Sequence, residues 1–345
     1  MNRILVVLFL FCTVNGWAQQ PLLTTQWNQG YPYNQHCPID SLEHNKHSYA
    51  GCPATAMGQI LNYLQTTQGT RFDDDDDYFT GNYFGRQFHI DDDWDTYSFP
   101  SFPQLNEMLD SVDARFQRGE ELTGSLKGAL VFACGVACKQ VYSASDSYGS
   151  GTFSVNQAFE AYQRFGFEDC QLLCEADSAM YAVLISNLQA GYPAHLAVEN
   201  PAGTSGHNVV VDGYRERDGK FHINFGWGGS RNNWYKLPDP NGFSQGWTKI
   251  EGIIVNIIPT TPPVAVREAS LPQSLEVYPN PATDVLYLRN LLCEMVDYAI
   301  FNVMGKKVKS GSTIGAISVS ELDKGIYLLQ IEGNKQLETA KFVVK

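Results

Sequence analysis

Near residue 193 the hydrophobic period of this chain changes, and few architectures accommodate that change. Before it, apolar residues recur at helical spacing. Ala56, Met57, Ile60, Leu61 and Leu64 form one stripe, and Phe102, Leu105, Met108, Leu109 and Val112 another. The stretches 126–142, 155–165 and 180–189 read as further helices. After it, short runs at 193–198, 206–214, 220–225, 234–237 and 253–258 read as strands. Asp212-Gly213 is expected to close the second of these, and the Asp218-Gly219 turn to precede the third. Helices first and antiparallel strands afterwards predict an α+β domain with helices and sheet in separate layers.

The ends of the chain differ from this domain. Arg3, the apolar run Ile4 to Val14 and the small Ala18 describe a secretory signal over residues 1–18. That run is too short to span a membrane, and no other segment is long and apolar enough. The main domain is then expected over 19–258. A Thr- and Pro-rich linker follows at 259–272, opening with Thr260-Thr261-Pro262-Pro263. Short strands separated by turns (275–278, 285–288, 298–302, 325–332 and 340–344) predict a small all-β sandwich over 273–345. It contains no histidine, and Cys293 is its sole cysteine.

The net charge of −13 argues against nucleic acid as a partner, because phosphate binding requires a basic face. Part of that charge lies in the acidic stretch 70–97, which contains Asp73 to Asp77 and Asp91 to Asp93. It reads as a solvated, self-repelling surface loop, with calcium as the alternative. Export also changes how the cysteines read. Seven remain after the signal, and an odd number in an oxidising compartment leaves at least one thiol free. The pairs Cys134/Cys138 and Cys170/Cys174 are open to disulfide, zinc or plain core readings.

Cys52 is the thiol expected to be free. It lies between the Gly51 turn and Pro53, and Pro53 is expected at the first helical position. A cysteine at a helix N-terminus meets unpaired N–H groups and the positive end of the helix dipole, which favour thiolate. A nucleophilic cysteine needs a base and oxyanion donors. His36, His44, His47 and His89 lie in loop-like or acidic stretches. His195 and His222 have apolar neighbours and read as core or edge residues. His207 starts a strand beside Gly206 and is the candidate base. Asn28 and Gln29, in a loop broken by Gly30 and Pro32, are short amides able to donate hydrogen bonds.

Four motifs taken together resemble the streptopain family of papain-like cysteine peptidases. They are Trp27 to Asn34, Gly51 to Met57, Gly206 to Tyr214 and His222 to Gly229, and the resemblance spans about residues 24 to 258. It implies Cys52 as nucleophile and His207 as general base. It implies Gln29 as a side-chain oxyanion donor beside the Cys52 N–H. Trp227 would line the site near the histidine, and Ser150 and Gly206 would lie where substrate backbone is held. No metal or organic cofactor is implied, and the partners are protein or peptide substrates. Two departures stand out. Phe225 replaces a tryptophan of the family pattern, which predicts a less firmly oriented His207. The short interval before Gln29 leaves no room for an inhibitory propeptide.

The C-terminal segment resembles the sorting domain of type IX secretion. Val277 to Ala282, Asp284 to Leu286, Phe301 to Lys306 and Leu322 to Leu328 carry that likeness. It implies recognition by the type IX machinery and transit through periplasm and outer membrane to the medium or cell surface. The expectation is therefore a secreted cysteine endopeptidase acting through a thioester. The alternatives are a silent relative that binds proteins at the surface and a thiol amidase of narrow specificity.

Overall fold

The computed structural model describes residues 20–174, 176–260, 275–289, 295–332 and 337–345. The expected signal 1–18, most of the expected linker 259–272, and Cys293 lie outside the described residues.

The helical half is built from α1 (Cys52–Leu64), α2 (Phe102–Gln117), α3 (Gly124–Ala137) and α4 (Val155–Arg164). Each has a local start signal. Gly51 caps α1 at φ +83°, where a side chain would collide with Gln140. Pro53 is therefore the second helical residue, and Cys52 is the first. Ser101 and Gln104 form a capping box at α2, Thr123 caps α3, and Ser154 caps α4. Met57, Ile60 and Leu61 of α1 are fully buried with Phe102, Leu105, Leu130 and Phe159 in the first core. Burying each of these side chains contributes about 1.5–3 kcal/mol.

The sheet half follows α5 (Ser178–Gln189) and β1 (Gln171–Leu173). Its remaining strands are β2 (Ala194–Glu199), β3 (Gly206–Arg215), β4 (Lys220–Asn224), β5 (Asn233–Tyr235) and β6 (Lys249–Val255). They form one antiparallel sheet in the order β1-β6-β2-β3-β4-β5. Strand alternation divides its side chains between two cores. Ala197, Val210 and Ile254 face the helical half. Leu196, Val198, Val209, Val211, Ile253 and Val255 face a second core shared with Met180, Leu184 and Leu188 of α5.

Two expectations are corrected here. Asp212-Gly213 does not close β3, which continues to Arg215. It is instead a bulge in the β3–β4 register. Asp212 is buried, and its side chain accepts from Leu23 N and pairs with His222. A side chain at position 213 would meet the Trp234 ring. The acidic stretch 70–97 is solvated and self-repelling in part, since Asp73, Asp74, Asp75 and Asp77 are exposed and burial and neighbouring carboxylates raise Asp77, but it is anchored to the domain and not a free loop. Asp76 pairs with Arg164, Asp91 accepts from Phe102 N at the start of α2, and Phe72, Phe88 and Ile90 are buried.

The cysteines also differ from a simple pairing of neighbours. Cys174 is disulfide-bonded, whereas Cys37, Cys52, Cys134, Cys138 and Cys170 are free. Cys170 and Cys174 are therefore not bonded to each other, and Cys174 is not a zinc ligand. Cys37, Cys134, Cys138 and Cys170 are buried small apolar groups, so among the described residues Cys52 is the free thiol that is partly open to solvent.

The C-terminal segment contains sheets of three and four strands around Leu286, Ile300, Ile317, Leu329 and Phe342. The expected strands are present with modest changes in their ends. Strands at Lys307–Thr313 and Ala316–Ser318 were not visible in the hydrophobic pattern. The first is almost wholly solvent-facing, so it carries no apolar stripe.

Candidate active site

Cys52 opens α1, the end of the helix where the first-turn N–H groups lack intrahelical partners. Three segments fix this end of the helix. Thr55 returns a hydrogen bond to Gly51 O at 2.8 Å. The 226–229 loop packs on that turn, with a Cβ at Gly226 only 3.2 Å from Thr55 Cγ2. The 28–30 loop is tied to the approach of the helix, because Ala50 N donates to Gln29 O at 2.9 Å.

A polar brace lies behind the site. Buried Gln59 of α1 accepts from Thr25 Oγ1 at 2.8 Å and from Asn224 Nδ2 at 3.2 Å, and its Nε2 donates to Asn224 Oδ1. Asn224 Nδ2 also donates to Thr25 O, while Asn224 Oδ1 accepts from Gly226 N. One pair of amides thus joins the helical half, the N-terminal segment and the end of β4.

His207 is buried at the start of β3. Its Nε2 donates to Phe225 O at 2.9 Å, which leaves Nδ1 as the unprotonated nitrogen of the neutral ring. The ring packs against two indoles, Trp227 at 4.7 Å and Trp247 at 5.2 Å, whose own centroids are 6.1 Å apart, and Phe225 lies parallel at 6.2 Å. Trp247 is itself held by Nε1 donating to Ser205 Oγ at 3.0 Å. The bond to Phe225 O opposes the loosening of His207 expected from Phe225. The backbone carbonyl of residue 225 orients the imidazole, and that carbonyl is independent of side-chain identity.

The neighbour of His207 on the opposite face of β3 is Asn208. Its Nδ2 approaches Cys52 Sγ at 3.8 Å, while its Oδ1 accepts from His195 Nε2 at 2.8 Å. Burial pushes the Cys52 thiol up, and the Asn208 backbone and side-chain N–H groups pull it back. Burial lowers His207 to about 4, with its bond to Phe225 O acting in the opposite sense. The helix terminus favours thiolate, whereas burial, the largest influence on Cys52, favours the thiol.

Gln29 is half-buried, and its side-chain amide makes no hydrogen bond among the described residues. Ser150 lies on the loop whose Gly151 faces Pro53. Its hydroxyl is occupied, accepting from Ser143 N at 2.9 Å and donating to Ser143 O. Gly206 is exposed and extended. A Cβ there would stand 2.8 Å from Val198 O, so the adjacent strand requires glycine.

Sequence reasoning gave no role to Trp247, Asn208 or Gln59. Asn208 had a signal: it is a polar residue on the strand face that otherwise buries Val210. Trp247 had none, because it comes from a loop 40 positions beyond His207 in sequence.

Comparison with known proteins followed from this geometry. Residues 27–235 match the model of the Peptidase C10 family, and residues 276–345 match that of the secretion system C-terminal sorting domain. The chain is 29% identical over 238 residues to the thiol protease/hemagglutinin PrtT of Porphyromonas gingivalis, covering 66% of this chain. It spans only 24% of the length of that relative. The solved structure of Prevotella intermedia interpain A cysteine protease superposes with a TM-score of 0.53 at 23% identity. That match covers 70% of this chain and 94% of interpain A. The fold is thus α+β and papain-like. The sorting domain marks the chain for type IX export to the medium or cell surface. Among the described residues no helix is long and apolar enough to cross a membrane.

Proposed function

Because this chain belongs to the Peptidase C10 family, we propose that it is a secreted cysteine endopeptidase that uses a Cys52–His207 dyad. We divide the chain into signal 1–18, peptidase domain 19–258, linker 259–272 and sorting domain 273–345. The observation that supports this reading is that, in a chain whose candidate thiol, Cys52, opens a helix, His207 commits Nε2 to Phe225 O. Its remaining nitrogen, Nδ1, is available as the base.

The mechanism follows from the groups present. His207 Nδ1 takes the Cys52 proton, and the sulfur attacks the peptide carbonyl carbon. The imidazolium so formed packs against two indoles, which stabilise a cation. Negative charge develops on the carbonyl oxygen, where the Gln29 amide and the Cys52 N–H donate. His207 then gives its proton to the departing amine, and the C–N bond breaks to leave a thioester. Water, deprotonated by His207, attacks the thioester and releases the acid and the thiol.

Gly206 lets substrate backbone approach beside His207. The Ser150 hydroxyl is spent on Ser143, so that loop meets substrate through its main chain. Substrates are proteins or peptides, the type IX machinery engages the C-terminal domain, and neither nucleic acid nor a resident metal or cofactor takes part.

Casein digestion by the purified chain under reducing conditions, beside the Cys52→Ala variant, tests this. Cleavage by the parent alone supports the endopeptidase. A parent that folds but leaves casein intact favours a surface binding protein, or a narrow thiol amidase if small amides are hydrolysed instead.

A further inference from the structure

The site contains a buried polar chain that the dyad mechanism does not use. Tyr162 of α4 is fully buried, and its hydroxyl lies 3.2 Å from His195 Nδ1. His195 Nε2 lies 2.8 Å from Asn208 Oδ1, and Asn208 Nδ2 lies 3.8 Å from Cys52 Sγ. Strand alternation produces this line. His195 and Asn208 share the sheet face that packs on the helical half, together with Ala197 and Val210.

Hydrogen-bond bookkeeping gives the chain a direction. Among the described residues the Tyr162 hydrogen has only His195 Nδ1 to donate to, so Nδ1 is the acceptor. His195 is neutral, since burial lowers it to about 4, and its one hydrogen therefore sits on Nε2. That hydrogen requires the oxygen of Asn208, which turns the amide NH2 toward sulfur. The reverse direction would strand a buried phenol hydrogen without an acceptor, a cost of about the size of a lost hydrogen bond.

We infer that Asn208 is a further catalytic residue, donating its side-chain N–H to the Cys52 thiolate, and that His195 and Tyr162 are positioning residues that lock its amide in that sense. The inference rests on Cys52 being the nucleophile. Donation to sulfur stabilises thiolate over thiol, in the place where burial works against it. The contact is strongest before attack and weakens as charge passes from sulfur to the carbonyl oxygen. Asn208 therefore governs how much thiolate is present at a given pH, and it does not speed the attack itself.

The test is the pH profile of iodoacetamide alkylation at Cys52, followed by mass analysis of the Cys52 peptide in the full-length chain. Asn208→Ala should move the midpoint upward by about one pH unit, a tenfold loss of reactivity on the acid side. Its plateau at high pH should equal or exceed that of the parent, because a less stabilised thiolate is a better nucleophile. A merely structural defect would lower the plateau instead. Asn208→Asp preserves size and still accepts from His195, but it presents no hydrogen to sulfur, so its midpoint should rise further. His195→Gln retains a donor to Asn208 and should stay near the parent, whereas His195→Leu should shift part of the way.

Overlay of the folded Asn208→Ala and Asn208→Asp profiles on the parent overturns the inference. So does a His195→Leu profile equal to that of His195→Gln, should the Asn208 variants fail to fold. Failure of the dyad reading looks different. The parent midpoint would then be that of an ordinary thiol and indifferent to His207→Ala, and both readings would fall together.

Discussion

His207 donates from Nε2 to the backbone oxygen of Phe225 at 2.9 Å, so the imidazole is oriented by a group that no substitution at residue 225 removes. Phe225→Leu should therefore keep kcat/KM within about threefold. Trp247→Ala removes one of the two indoles packed against the ring and should lower it about tenfold, as expected for a desolvated cation–π contact of about 1–2 kcal/mol. Casein or peptide hydrolysis by the two folded variants checks this ordering. Equal losses would mean that side-chain packing at 225 orients the ring after all.

Gln29 is assigned to the oxyanion because its side-chain amide is uncommitted while its backbone is pinned to Ala50. Gln29→Ala should reduce kcat by about 10²–10³ with KM little changed, the usual effect of losing one oxyanion donor. Steady-state kinetics on one peptide amide separate the two parameters. A change confined to KM would make Gln29 a binding residue only.

Buried His195 and His207 give the stability of the domain a pH dependence. Each is held at about 4 when folded, below its ordinary value of 6.5. The unfolded chain therefore binds protons first as pH falls, and stability that is full above about 6.5 is lost toward 4. Between pH 6.5 and 4.5 one such histidine accounts for about 2–3 kcal/mol. After Trp17, every tryptophan lies between Trp27 and Trp247, so fluorescence-monitored urea unfolding reports on this domain. His195→Gln should flatten the pH dependence by about that amount. An unchanged slope would show that His195 takes up its proton equally in both states.

The Gln59–Asn224 brace should matter for folding rather than chemistry. Gln59→Leu leaves Asn224, Thr25 Oγ1 and Trp27 N without their acceptor and should cost about 1–3 kcal/mol. Urea unfolding measures the cost. A cost near zero would mean that water replaces the amide.

The sequence made the helices legible because their apolar stripes are long and their caps are local, as at Ser101 and Thr123. Cys52, Gly206 and His207 could be singled out because each lies at the end of an element, where glycine or proline marks the boundary. The Asp212-Gly213 pair was misread because a bulge and a turn use the same residues, and only the Trp234 ring and the Leu22–Leu23 segment distinguish them. The depth of burial at Cys52 was also beyond reach. A helix dipole is local, whereas the burial that raises the thiol and the Asn208 N–H groups that oppose it are brought together only by the fold. Trp247 and Gln59 act through contacts that only the folded chain creates.

The central claim is that Cys52 carries the acyl group, and trapping that group tests it most directly. Acid quench during turnover of a peptide ester, followed by mass analysis, should find the acyl group as a thioester on the Cys52 peptide. The adduct should be absent in Cys52→Ala and should form at least about a hundredfold more slowly in His207→Ala, a loss within the usual range for a missing general base. Hydrolysis that persists at the parental rate in Cys52→Ala, or an adduct on any other residue, would contradict the account.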